Sequence, residues 1–93
     1  MEHTSVINIG IYIDMKNSFT IKINTIKRIY NFVDDMNTFE SDIDAMRGRY
    51  VLDAKSILGL MSVDLLKPLD VRINTSDENE LIRFNEVIKK YLN

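Results

Sequence analysis

The chain has 93 residues, 45% of them hydrophobic and 28% charged, with 12 basic against 14 acidic residues and a formal net charge of −2. This composition fits one globular domain without room for a second core, and the lack of a basic excess argues against a nucleic-acid partner. There is no cysteine and a single histidine, His3, so disulfides and thiolate metal sites are excluded and a histidine-based zinc site lacks further ligands.

Residues 6–13 form an apolar run, far short of the ~20 residues that span a bilayer. The start, Met1, Glu2 and His3, lacks the basic region of a signal peptide. The sequence therefore reads as a cytoplasmic protein with no membrane association. Residues 1–17 read as an extension, either an extra edge strand or a poorly ordered stretch, ahead of a domain over 18–93. Met15 would make a natural start of its own, so both Met1 and Met15 stand as starts.

Apolar and polar residues alternate over 18–24, which predicts a half-buried strand with Phe19, Ile21 and Ile23 facing a core. Asn24 or Thr25 can cap the helix that follows by offering a side-chain oxygen to free backbone N–H groups. Ile26, Ile29, Tyr30, Val33 and Met36 recur at helical spacing and predict the buried stripe of a helix ending near Thr38. Lys27, Arg28, Asn31, Asp34 and Asp35 fall on its solvated face. Two short strands follow, over 42–47 and 49–54, joined through Gly48, because glycine reaches positive φ without steric cost. Residues 56–63 read as a short helical turn capped by Ser56. Pro68 presets a turn before the alternating strand 69–73. The run from Thr75 to Glu80 carries caps and acids suited to a helix start. Leu81, Phe84, Ile88 and Tyr91 then form the buried stripe of a last helix. The order β-α-β-β-α-β-α is an α+β layer architecture.

The element order, Gly48 and the run Lys55-Ser56-Ile57-Leu58-Gly59-Leu60-Met61-Ser62 resemble the HPr family, the phosphocarrier of the bacterial sugar phosphotransferase system. The helix start at residues 75–80 and the passage Phe39, Glu40, Ser41, Asp42, Ile43 resemble the same family, so the likeness covers residues 18–93. It implies an open-faced β-sandwich, a four-stranded antiparallel sheet covered on one face by three helices.

The family relays phosphate through a histidine at the start of the first helix, followed two residues later by a phosphate-binding arginine. By this resemblance, Thr25 stands at the phosphohistidine position and Lys27 at the arginine position. A threonine hydroxyl is a poor nucleophile without a base, and Lys27 lacks the bidentate fork of arginine. No histidine exists after His3. The expectation is a non-catalytic regulatory or adaptor protein with no cofactor. Phosphocarriage through an atypical acceptor, Thr25 or His3, and a structural or dimerisation module are the alternatives.

In Gram-positive relatives the equivalent of Ser56 is phosphorylated by an ATP-dependent kinase, which controls a transcription factor of carbon catabolite repression. One branch of the family also lacks the histidine. The resemblance thus implies phosphorylation at Ser56, and partner binding through Ile57, Leu58, Met61 and Lys27. The implied partners are proteins of the phosphotransferase system, or a serine kinase and a transcription factor. A helix cap explains Ser56 equally well, worth about 1 kcal/mol. Core packing likewise competes as the role of the three apolar residues, with Ile57 and Leu58 expected to be the more exposed pair. Asp34, Asp35, Glu78 and Glu80 read as solvated or capping acids. The chain is expected to be a monomer or a strand-exchanged dimer.

Overall fold

Strict alternation of apolar and polar residues gives each strand one face to bury, and the register of the strands determines which apolar residues meet. The computed structural model describes residues 2–6 and 12–92, with side chains from Met15 onward. Residues 7–11 of the apolar run lie outside the described residues. The elements are β1 (Glu2–Val6), β2 (Tyr12–Lys16), β3 (Ser18–Ile21), α1 (Ile26–Met36), β4 (Asp42–Arg47), β5 (Tyr50–Asp53), α2 (Ile57–Met61), β6 (Leu69–Asn74) and α3 (Glu78–Ile88). A single 3₁₀ turn, Lys89–Tyr91, follows α3.

Four strands form an antiparallel sheet in the order β3-β6-β4-β5. Its covered face carries Ile21, Ile43, Ala45, Leu69, Val71 and Ile73, all buried beneath the three helices. Polar pairs occupy the open face: Thr20 Oγ1 donates to Asp70 at 2.6 Å, and Asn74 Nδ2 to Asp44 at 2.9 Å. The sheet is thus an open-faced sandwich, with one dry side and one wet side. Phe84 of α3 sits near the middle of the core, its ring centre 5.9 Å from those of both Phe19 and Phe39.

The β4–β5 turn contains Gly48 at φ +57, the left-handed region that a side chain disfavours. β1 and β2 pair with each other, from Glu2↔Lys16 to Val6↔Tyr12, as a two-stranded sheet of their own. The base of this hairpin is fixed to the body. Met15 is buried in the core, and Asn85 of α3 binds the Lys16 backbone twice, accepting from its N–H at 3.2 Å and donating to its C=O at 2.8 Å.

The structure turns α1 relative to the sequence reading. Its buried stripe is Ile29, Phe32, Val33 and Met36, whereas Ile26 and Tyr30 are 65% and 51% exposed. Phe32 takes the inner position because it meets Tyr91 edge to face, with ring centres 5.2 Å apart. The first strand is also shorter than predicted, since the chain leaves the sheet after Ile21 while Ile23 still reaches the core.

Candidate functional site

Two helix starts present hydroxyl residues, and each is built differently. Thr25 is extended (φ −129, ψ 152), which ends the strand-like run and lets its Oγ1 accept from Arg28 N–H at 3.2 Å. Its carbonyl accepts from Ile29 N–H at 3.0 Å, the first helical bond. Thr25 and Lys27 are both exposed. The N–H groups of the first turn and the positive end of the helix dipole favour an anion near this end.

Arg28 is engaged with the segment that leads into that end. Its Nη2 donates to the Lys22 carbonyl at 2.9 Å, and its Cζ lies 5.5 Å from the Tyr91 ring centre. Tyr91 closes the same corner by accepting from Lys22 N–H at 3.3 Å through its carbonyl. Its hydroxyl donates to Asp35 near the other end of α1, where Lys90 Nζ also sits 2.7 Å from the carboxylate. Burial, together with the Asp35 hydrogen bond, pushes the Tyr91 hydroxyl well above the usual phenol range. Asp35 is therefore a structural anchor, not the solvated acid that the sequence pattern suggested.

Ser56 caps α2. It too is extended (φ −111, ψ 115), and its Oγ accepts from Gly59 N–H at 3.1 Å. A Cβ at Gly59 would lie 3.4 Å from Ser56 Oγ, within ordinary contact distance. The approach to Ser56 is held at several points. Ser56 N–H donates to the Asp53 carbonyl at 3.0 Å, Lys55 N–H to Asp53 Oδ1 at 2.9 Å, and Asn37 Nδ2 to the Lys55 carbonyl at 3.1 Å. Lys55 Nζ donates to the Phe39 carbonyl at 2.7 Å.

That carbonyl belongs to a linker fixed in turn by α3. Glu80 accepts from Glu40 N–H and Ser41 N–H, both at 3.0 Å. Arg83 donates to Thr38 through Nη1 and Nη2 at 2.8 Å each and lies 3.8 Å from the centre of the Phe39 ring. Burial works to raise the Glu80 pKa, but hydrogen bonds from Ser41 and Glu40 and the charge of Arg83 outweigh it and hold the carboxyl below its ordinary range. Glu80 thus positions the linker behind Lys55 and Ser56; the cap of α3 is Asp77, which accepts from Asn79 N–H at 2.9 Å.

Of the three apolar residues of α2 singled out in the sequence, Leu58 is 83% and Met61 44% exposed, whereas Ile57 is half-buried against the core. The exposed pair is Leu58 and Met61, not Ile57 and Leu58, because the burial of Leu60 in this five-residue helix turns Ile57 inward as well. Residues 26, 30, 33 and 37 lie along one stripe of α1. Asn37, at its far end, touches Lys55 just ahead of α2. The exposed side chains of Ile26 and Tyr30 therefore lie on the side of α1 that runs toward α2, an apolar surface that the sequence reading had assigned to the core. Phe32, three residues after Ile29, was the signal for the turned stripe.

The two hydroxyls do not form one site. Thr25 starts α1 and Ser56 lies beyond its other end, so 11 residues of helix, about 16 Å at 1.5 Å per residue, separate their ends of the helix layer. His3 pairs with Met15 across the hairpin. Met15 is six residues before Ile21, about 20 Å along an extended chain, so His3 stands at the far end of the strand from Thr25. Among the described residues no group of three or more His, Asp or Glu is placed to hold a metal ion, and no helix is long and apolar enough to cross a membrane.

Two solved HPr proteins share this arrangement. The crystal structure of HPr-C-His from Thermoanaerobacter tengcongensis has a TM-score of 0.62 at 24% identity, covering 81% of this chain and 92% of that one. The phosphocarrier protein HPr from Bacillus anthracis str. Ames has a TM-score of 0.60 at 22% identity, covering 82% and 95%. No protein-family model matches the chain, and no curated protein is a significant match. The chain has the fold of HPr phosphocarrier proteins.

Proposed function

We propose that this chain is a non-catalytic, cytoplasmic regulatory or adaptor protein related to the sugar phosphotransferase system, controlled by phosphorylation of Ser56. The observation that carries this reading is the pairing of a capping serine with exposed apolar side chains, Leu58 and Met61, on one short helix of an HPr fold. Thr25 takes the place of the phosphohistidine and Lys27 that of the arginine beside it. Neither supplies the nucleophilic imidazole that a phosphate relay needs. His3, the only histidine in the sequence, belongs to the separate β1–β2 hairpin and not to the start of α1.

Phosphorylation would transfer the γ-phosphoryl group of ATP to Ser56 Oγ, with loss of the hydroxyl proton and release of ADP. The product adds nearly two negative charges beside an apolar surface. Leu58, Met61 and the rim of Ile57, joined by Ile26, Tyr30 and Lys27, form the contact surface, and the new charge switches which partner prefers it. The partners are proteins of the phosphotransferase system, or a serine kinase and a transcription factor of carbon catabolite repression.

Incubation of the purified protein with ATP and the serine kinase of its own cell tests the reading. We expect phosphate on Ser56 alone, and a partner that distinguishes the wild type from Ser56→Asp. An unmodified Ser56, with no partner sensitive to Ser56→Asp, would overturn it.

A further inference from the structure

A sheet edge exposes rows of unpaired N–H and C=O groups, and proteins cover, shorten or charge such edges. Four edges exist among the described strands, and that of β2 is held at Lys16 by Asn85 of α3. That of β3 is flanked by the C-terminal segment: Asn85 takes both backbone groups of Lys16 just before it, and the Tyr91 carbonyl takes Lys22 N–H just after it. That of β5 is only four residues long and lies between Arg49 and the charged Asp53. β1 is different. It carries neither proline nor lysine, it pairs only with β2, and an isolated two-stranded hairpin is marginal in water.

The register says which groups of β1 are free. Antiparallel pairs alternate between hydrogen-bonded and non-hydrogen-bonded, and both backbone groups of one residue point the same way. Because Lys16 gives its N–H and C=O to Asn85, Glu2↔Lys16 is a non-hydrogen-bonded pair. His3 and Ser5 then bond to Met15 and Ile13, while Glu2, Thr4 and Val6 direct their N–H and C=O outward. This outward pattern is symmetric about Thr4, the middle residue of the strand. A second copy related by a two-fold axis at Thr4 presents the same donors and acceptors in complementary positions, which makes the contact isologous and self-limiting.

We propose that β1 pairs antiparallel with β1 of a second copy about Thr4, joining two hairpins into one four-stranded sheet across a homodimer. The contact is small, so the dimer is reversible and concentration-dependent.

Sedimentation of the full chain over a wide concentration range should show a monomer–dimer equilibrium. Thr4→Pro, which removes the central outward N–H without touching a bond to β2, should abolish the dimer. The chain has no cysteine, so single cysteines report the register directly. In a hydrogen-bonded antiparallel pair the Cα atoms are about 5.5 Å apart, within disulfide reach. Thr4→Cys should therefore oxidise rapidly to a covalent dimer, and Val6→Cys, whose partner in this register is Glu2, should not. A chain that stays monomeric at all concentrations, or a dimer in which Val6→Cys cross-links as fast as Thr4→Cys, would overturn the proposal. A dimer unchanged by Thr4→Pro, with Thr4→Cys unlinked, would overturn it equally by placing the interface elsewhere.

Discussion

The starts of α1 and α2 use the same local device, a hydroxyl residue in extended backbone accepting a bond from the N–H three residues on, yet their surroundings differ. Thr25 opens an 11-residue helix anchored by four buried residues, and the charged Arg28 beside it is spent on the C-terminal corner. Ser56 opens a five-residue helix with one buried residue, and it is held from behind by Asp53, Asn37, Lys55 and, through the 38–41 linker, by Glu80 and Arg83. A long helix holds its own end in place. A short one depends on its cap and its neighbours, so a change of charge at Ser56 should disturb α2 more readily than one at Thr25 disturbs α1.

The largest effects should come from removing what anchors each helix. Phe32→Ala in α1 should lower stability by about 3–5 kcal/mol and Leu60→Ala in α2 by about 2–5 kcal/mol, read from urea unfolding midpoints, because both side chains are fully buried. If Leu60→Ala were nearly neutral, α2 would not be packed as described. A smaller effect with a pH signature should follow from Glu80→Gln. The folded-state pKa of Glu80 is lowered, so its contribution is present at neutral pH and is lost as pH falls through the folded pKa. The gap between wild type and Glu80→Gln should be widest near pH 7 and should close in strong acid. A gap independent of pH would contradict the ionised contact with Glu40 and Ser41.

Much of this arrangement is legible in the sequence because it rests on local rules. Alternation marks the strand from Leu69 to Ile73, helical spacing marks Leu81, Phe84 and Ile88, and Asn24 or Thr25, then Ser56, and Gly48 announce a cap, a cap and a turn. The stripe of α1 is not local. Ile26, Tyr30 and Phe32 are all apolar, so two stripes compete in the sequence, and in the fold Phe32 turns inward to meet Tyr91 from the far end of the chain. The same limit applies to the support of Ser56, since Glu80 and Asp35 look like surface acids until the backbone groups and Tyr91 that they bind are brought to them by the fold.

Subtler changes sharpen the contrast between the two helix starts. Thr25→Ala and Ser56→Ala should each cost about 1 kcal/mol as lost caps. The Ser56 change should also loosen α2, seen as faster amide exchange at Gly59 and Leu60, whereas α1 beyond its first turn should be unaffected by Thr25→Ala. Gly59→Ala should have the smallest effect on stability, since its methyl would meet Ser56 Oγ at an ordinary 3.4 Å contact, but it should slow modification of Ser56 by crowding the hydroxyl. Equal modification rates in the two proteins would show that the space at Gly59 is unrelated to the phosphate.

In the proposed function Ser56, and neither Thr25 nor His3, carries phosphate. Mapping of phosphate by mass spectrometry on the protein isolated from its own cells, handled so that acid-labile phosphate survives, tests it most directly. Phosphate is expected on Ser56 only; phosphate on Thr25 or His3 with Ser56 unmodified would overturn the proposal.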